Sequence, residues 1–223
     1  MKILIVAATW EEIKPLEKHL LILDEQGKLA THAIEICITG IGGILTAYHL
    51  GKILPLENWD IALQLGIGGS FKKDCEIGET VNVTTEIFAD LGAEDDEDFI
   101  DVFEMKLLDE NKFPFQNKIL ENKTIIESPA IDGFKKARGI SVNKVHGNEK
   151  SIALITKKYS PDVESMEGAS FFYCCKMAST SFLQLRTISN YVEKRNKANW
   201  DIPLAINNLN VAAIKLIEDL ISK

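Results

Sequence analysis

From Ile3 to Ala8 the chain is apolar without a break, which predicts a strand buried on both faces. A second short apolar run, Ile61–Leu65, reads the same way. Ala33–Thr39, Gly78–Ile87, Ile140–Val145 and Ser181–Tyr191 mix polar with apolar positions and predict further strands. Helical spacing falls between them. Thr9 can cap a short helix with Glu12 at the capping-box position, and Pro15 fits only near its start. A helical stretch follows Gly40-Ile41-Gly42-Gly43 as far as about Leu54, and another leads from the His146–Lys150 loop to about Lys157. Asp201 caps a C-terminal helix, with Pro203 in its first turn and Ile206, Leu209, Ala213, Ile217 and Leu220 along its buried stripe. Residues 99–138, with five phenylalanines and the breakers Pro114 and Pro129, have the weakest period and predict a mobile, partly helical cover.

Strands alternating with helices over 223 residues suit one α/β domain with a full core, and no repeat or linker divides residues 1–223. The start, Met1-Lys2-Ile3-Leu4-Ile5-Val6, lacks a small-residue cleavage site and turns acidic at once, so it reads as a strand and not as an export signal. No apolar run is long enough to span a bilayer, so no membrane partner is expected. A formal net charge of -8 argues against nucleic acid as a partner. Cys37, Cys75, Cys174 and Cys175 lack metal-ligand spacing, and the adjacent pair suits a buried helix, as in a reducing cytoplasm. The acidic run at residues 90–98 reads as a solvated loop, with no metal.

The candidate chemistry gathers where strands end. Val163-Glu164-Ser165-Met166-Glu167-Gly168-Ala169-Ser170 reads as a short strand entering a helix through small residues. This places Glu167 at the carboxyl edge of the sheet, where open α/β folds bind ligands, although a first-turn acid can also serve the helix alone. Gly40-Ile41-Gly42-Gly43 follows a strand, but it has no third glycine at dinucleotide spacing and no acid after the next strand. A nicotinamide cofactor is therefore excluded, and the glycines read as a tight turn near another strand. Gly66-Ile67-Gly68-Gly69-Ser70 is either a sharp bend or a backbone surface for a ligand. His146 has no chemical partner in sequence and reads as a hydrogen-bonded structural histidine.

Glu12 after the first strand, Met166-Glu167-Gly168-Ala169, and Arg186-Thr187-Ile188-Ser189-Asn190 late in the chain occur in an order and spacing that resemble the purine nucleoside phosphorylase/nucleosidase superfamily over nearly the whole length. Leu185 to Glu193, Arg195-Asn196, Trp200, Val142 to Gly147 and Gly66 to Ser70 look like its futalosine hydrolase branch. The resemblance implies a three-layer α/β/α sandwich around a mixed, partly closed β-sheet. It also implies a purine nucleoside as small-molecule partner, no cofactor, and a homo-oligomer, with a dimer favoured.

By the same resemblance Glu12 would activate the hydrolytic water, and Met166 and Glu167 would hold the ribose. Gly68 and Gly69 would lie beneath the nucleoside, Arg186 would stand behind them, and Asn190 would meet the purine where adenine-specific members use an aspartate. Asn190 offers a carbonyl to N7–H and an NH₂ to O6, which fits hypoxanthine. The implied reaction is hydrolysis of the N-glycosidic bond of futalosine. Methylthioadenosine/S-adenosylhomocysteine nucleosidase, purine nucleoside phosphorylase and a non-catalytic nucleoside-binding protein are the alternatives. Asn190 speaks against the first, and an acid at Glu12 speaks against phosphate. For the 5′ carboxylate-bearing tail, Lys72, Lys73, Arg138 and Arg195 stand as unranked cations.

Overall fold

A computed structural model describes residues 1–222. The first strand, β1 (Lys2–Ala7), sits in the middle of the sheet and is buried from Ile3 onward. Its alternation divides the core: Ile3 and Ile5 face one apolar cluster, Leu4 and Val6 the other. On the first side lie α1 (Trp10–Glu25) and α6 (Ile202–Ile221), which contribute Ile13, Leu16, Leu209, Leu216 and Ile217. On the other side lie α2 (Gly43–Ile53) and α5 (Gly168–Met177), which contribute Leu50, Phe171, Phe172 and Cys175. Helices on both faces of one sheet give the expected three layers.

The sheet is mixed. β1 pairs in parallel with β2 (Ala33–Ile38) on one edge and with β3 (Ile61–Ser70) on the other. β3 also pairs in parallel with β10 (Phe182–Tyr191), and β10 runs antiparallel to β4 (Thr80–Glu86). β4 continues in parallel to β8 (Lys135–Ser141), and β8 to β9 (Val163–Ser165). β9 returns antiparallel to the last two residues of β3. The ring β3–β10–β4–β8–β9 is therefore closed, and β1 and β2 extend from it as an open wing.

Three sequence expectations shift. The Gly66–Ser70 stretch does not end its strand: β3 runs through it to Ser70, with the glycines inside the strand because neighbouring groups occupy the space a Cβ would need. The strand expected at Ile140–Val145 lies instead at Lys135–Ser141, its early charged residues exposed and its later ones buried. The acidic run forms a hairpin, β5 (Gly92–Asp95) and β6 (Asp98–Asp101). Between β6 and β8 the chain is mostly turns, with short β7 (Leu120–Glu121) and one helical turn, α3 (Pro129–Asp132). Its Phe103 and Phe115 are buried and stacked edge-to-face, so the weakly periodic segment joins the core. The remaining helix, α4 (Glu149–Tyr159), is capped by Asn148, which accepts from the Lys150 and Ser151 amides. No described helix is long and apolar enough to cross a membrane.

Candidate active site

The ends of β1, β3, β9 and β10 converge on a buried group of charges. Glu12 stands in the first turn of α1, where Oε2 accepts from the Thr9 amide (3.1 Å), as the capping pattern predicts. Its other oxygen, Oε1, accepts from the Ile67 amide of β3 (3.2 Å). A capping residue alone would not reach a second element, so this bond orients the carboxylate toward the sheet edge. Burial raises its pKa above the usual carboxylate range, while the Arg186 charge and the two amides pull it back down.

Arg186 lies on β10 with 2% of its surface exposed. Its Nη1 donates to the Ile67 carbonyl (3.3 Å), and Nη2 lies 3.3 Å from Glu167 Oε2 as an ion pair. Room for this guanidinium comes from Gly66, where a Cβ would sit 2.3 Å from Nη1 and 3.1 Å from Glu12 Oε1. Sequence reasoning passed over Gly66. Its signal was the glycine-rich strand, but the occupant of the space was invisible.

Glu167 ends the β9–α5 connection, as the sequence predicts. Its Oε1 accepts from the Gly42 amide (3.0 Å), and Gly42 holds φ 101°, a conformation that favours glycine. The Gly40–Gly43 turn therefore approaches the start of α5 and not another strand: a Cβ on Gly43 would lie 2.6 Å from Ser170 Oγ and 3.7 Å from the Met166 carbonyl. Met166, half-buried, immediately precedes Glu167 at the entrance to α5. Glu12, Glu167 and Arg186 thus form one buried set, in which Arg186 is paired with Glu167 and acts on Glu12 through its charge.

Asn190 is placed by the strand register. A β-bulge at Ser189 shifts the pairing so that Asn190 stands opposite Gly69 and Ile188 opposite Gly68. Asn190 Oδ1 accepts from Ser189 Oγ (2.8 Å) and Nδ2 donates to the Tyr191 carbonyl (3.0 Å). Each end keeps one further hydrogen-bonding position. Gly69 allows this approach, since its Cβ would lie 3.2 Å from Asn190 Nδ2, and Gly68 lets β3 close on the Glu164 carbonyl, which a Cβ would meet at 2.9 Å.

His146 is the hydrogen-bonded histidine expected. Its partner, which the sequence did not reveal, is Glu164: Nδ1 bonds Oε2, and the His146 amide donates to Oε1 (2.9 Å). His146 also lines an open cleft of about 1020 Å³, bounded by Asp90, Phe99, Gly147, Leu154 and Arg195. The Glu12–Glu167–Arg186 set is not part of that lining. Of the four cations considered for a substrate tail, Lys72 and Arg138 pair with Asp162 and Lys73 lies over Tyr191. Arg195 alone of the four lines the cleft, its guanidinium 5.0 Å from the Trp200 ring.

Comparison with known proteins agrees with this architecture. The family model described as "Phosphorylase superfamily" matches residues 2–222. A futalosine hydrolase from Thermus thermophilus is 27% identical over 181 residues, covering 81% of this chain and 80% of its own. One from Acidothermus cellulolyticus is 25% identical over 194 residues, covering 82% and 74%. Among solved structures, the 5′-methylthioadenosine/S-adenosylhomocysteine nucleosidase of Neisseria meningitidis superposes with a TM-score of 0.76 at 16% identity, covering 97% of this chain and 98% of that one. The native futalosine hydrolase of Helicobacter pylori gives 0.72 at 15%, covering 100% and 98%. At those identities the structures bear on the fold alone.

Proposed function

Because this chain belongs to the phosphorylase superfamily, we propose that it hydrolyses the N-glycosidic bond of futalosine, releasing hypoxanthine and the remaining ribosyl product. The observation that carries the reading is the buried apposition of Glu12 and Glu167 around Arg186. The curated relatives that bear the name futalosine hydrolase support the choice of substrate.

Cleavage of a glycosidic bond to a purine builds positive charge on the ribose and negative charge on the base. A site for it must place water at the anomeric carbon, stabilise a cationic sugar and receive the departing base. Glu12 is the group that takes a proton from the water. Its raised pKa strengthens it as a base, and Arg186 helps keep it ionised. Glu167, fixed by the Gly42 amide and Arg186, grips the ribose hydroxyls through charge-assisted hydrogen bonds. Gly68 and Gly69 let β9 and Asn190 close on β3 beneath the nucleoside, with Met166 beside the sugar. Asn190 meets the base with its free carbonyl position and its second amide hydrogen. As an amide it cannot protonate N7, so that proton arrives through water.

The reading extends to a homodimer. α2 and α5 pack together and leave Ile44, Tyr48, Tyr173 and Met177 exposed, apolar surface that a second copy would cover. Sedimentation velocity should give a dimer at working concentration; monomer alone would remove this part. A cytoplasmic setting is in keeping with four free cysteines.

The deciding experiment is chromatography of products after incubation with futalosine, inosine and methylthioadenosine, with and without phosphate. Hypoxanthine should appear from futalosine at the same rate in both conditions. Strict phosphate dependence, with ribose 1-phosphate chemistry at the sugar, would replace hydrolysis by phosphorolysis. Preferred release of adenine from methylthioadenosine would move the substrate assignment.

A further inference from the structure

Glu86, the last residue of β4, takes no part in the chemistry above, yet it lies against the element that carries Glu167. It is 1% exposed. Ser141 Oγ, at the end of β8, donates to Glu86 Oε2 (3.0 Å) and itself accepts from the Ala169 amide in the first turn of α5 (2.7 Å). A Cβ on Gly168 would stand 1.8 Å from Glu86 Oε1, and one on Gly139 2.5 Å from it, so two backbones close directly onto this carboxyl. Arg186 from β10 and Glu167 from the α5 entrance are the charged groups that act on it; Ser141 from β8 and Gln184 from β10 are the polar ones. A carboxyl is a costly filler for such a space, where an amide or an apolar side chain would avoid the desolvation of a charge.

We propose that Glu86 is a positioning residue: through Ser141 it fixes the first turn of α5, and through its charge it sets how firmly Arg186 is drawn to Glu167. The role given to Glu167 rests on the nucleosidase reading. Ala169 is two residues beyond Glu167, so the chain from Glu86 to Ser141 to the Ala169 amide reaches the ribose-binding junction without touching substrate. Burial, offset in part by Arg186, Ser141 and Gln184, moves the Glu86 carboxyl to about 7. Near neutral pH it therefore changes charge. The neutral acid leaves Arg186 to Glu167 and Glu12. The carboxylate competes for it and repels Glu167, which loosens the grip on the sugar.

The test follows kcat and KM for futalosine from pH 5.5 to 8.5 in the wild type, Glu86→Gln and Ser141→Ala. Denaturant unfolding, which needs no substrate, runs beside it over a range extended down to about pH 4. In the wild type KM should rise about three- to tenfold through an inflection near 7, with a smaller change in kcat. Glu86→Gln should hold the low-pH KM throughout, without the inflection. Ser141→Ala should raise KM about fivefold at every pH, the worth of one hydrogen bond. In unfolding, a carboxyl whose folded pKa lies above its unfolded value stabilises fully below the unfolded value and loses that contribution as pH rises through the folded one. Wild-type stability should therefore fall between about 4.5 and 7 relative to Glu86→Gln. A KM inflection that survives in Glu86→Gln, or an unchanged KM in Ser141→Ala, overturns the proposal. If Glu86→Gln does not fold, Ser141→Ala and the wild-type unfolding profile decide. If futalosine is not cleaved at all, the nucleosidase reading fails, and a wild-type unfolding profile without the loss toward 7 separately overturns the part given to Glu86.

Discussion

We take the buried charge set as the floor of the proposed site and the separate cleft at His146 as its rim, and the two are built on different physical terms. The floor comprises Glu12, Glu167 and Arg186, each buried and each tied to the backbone or to another charge by a second element. The rim, formed by the Asn143–Asn148 loop, the β5–β6 hairpin and residues 192–200, is largely exposed and densely charged, and Arg195 there rests on Trp200. Charges in the floor act at low effective dielectric with geometry already fixed, so they can stabilise a transition state. Charges on the rim are screened and adaptable, which suits recognition of a substrate's periphery. Substitutions in the floor should therefore lower kcat, with KM affected as well where the group holds the sugar, and substitutions on the rim should change only KM and substrate choice.

The largest expected effect is Glu12→Gln. An amide cannot take the water's proton, so single-turnover cleavage should fall about 10²- to 10⁴-fold while calorimetric affinity for the nucleoside stays within about threefold. Turnover within tenfold of the wild type would break the division at its strongest point. The pH profile sharpens the same point. In its proposed role Glu12 acts as the carboxylate, and its pKa is raised, so kcat should decline on acidification from a point above the ordinary glutamate value, and this limb should vanish in Glu12→Gln.

Next comes Glu167→Gln, which keeps the shape but removes the charge opposite Arg186. We expect kcat/KM to fall about tenfold to a hundredfold, with KM and kcat both affected, since hydroxyl bonds to a charged group are worth about 1.5–3 kcal/mol. A change confined to kcat would place Glu167 with Glu12 and not on the sugar.

Asn190, near the end of β10, is the proposed contact to the base. Asn190→Asp should shift the preference between hypoxanthine and adenine nucleosides bearing the same 5′ group by about tenfold to a hundredfold, and should add an acid limb to the profile. An unchanged preference would pass base selection to backbone groups of the His146–Lys150 loop. The smallest effect is expected for Arg195→Ala. KM for futalosine should rise about threefold to tenfold, with kcat unchanged and inosine unaffected, as for a screened contact to the tail's carboxylate. An equal loss on inosine would show that the Arg195 side chain serves the loop, through its packing on Trp200, and not the tail.

Much of the floor was legible residue by residue. The run Ile3–Ala8 marks a central strand because a strand covered on both faces has no polar side. Thr9 and Glu12 mark a helix start because the capping bonds are local, and Asp201 does the same for α6 by accepting from the Leu204 amide (2.9 Å). The small residues after Glu167 announced a close-packed helix entrance. The resemblance to a superfamily rested on Glu12, Met166-Glu167-Gly168-Ala169 and Arg186 to Asn190, and it held over residues 2–222.

What the chain could not disclose are relations between residues far apart in sequence. The space at Gly66 belongs to Arg186, 120 positions later, and the turn at Gly42 serves Glu167, 125 positions later. His146 found its partner in Glu164 only once β9 was placed, and Glu86 reads in sequence as one more polar residue of an alternating strand. Periodicity reports which face of an element is buried, because burial repeats with the element's own geometry. It does not report which side chain arrives from another element to fill a gap, and burial of an acid raises its pKa only when a particular tertiary neighbourhood excludes water from it. Strand order, the closed ring and the buried guanidinium were therefore decided by packing. The elements themselves, and the residue types available to them, were written in the order of the amino acids.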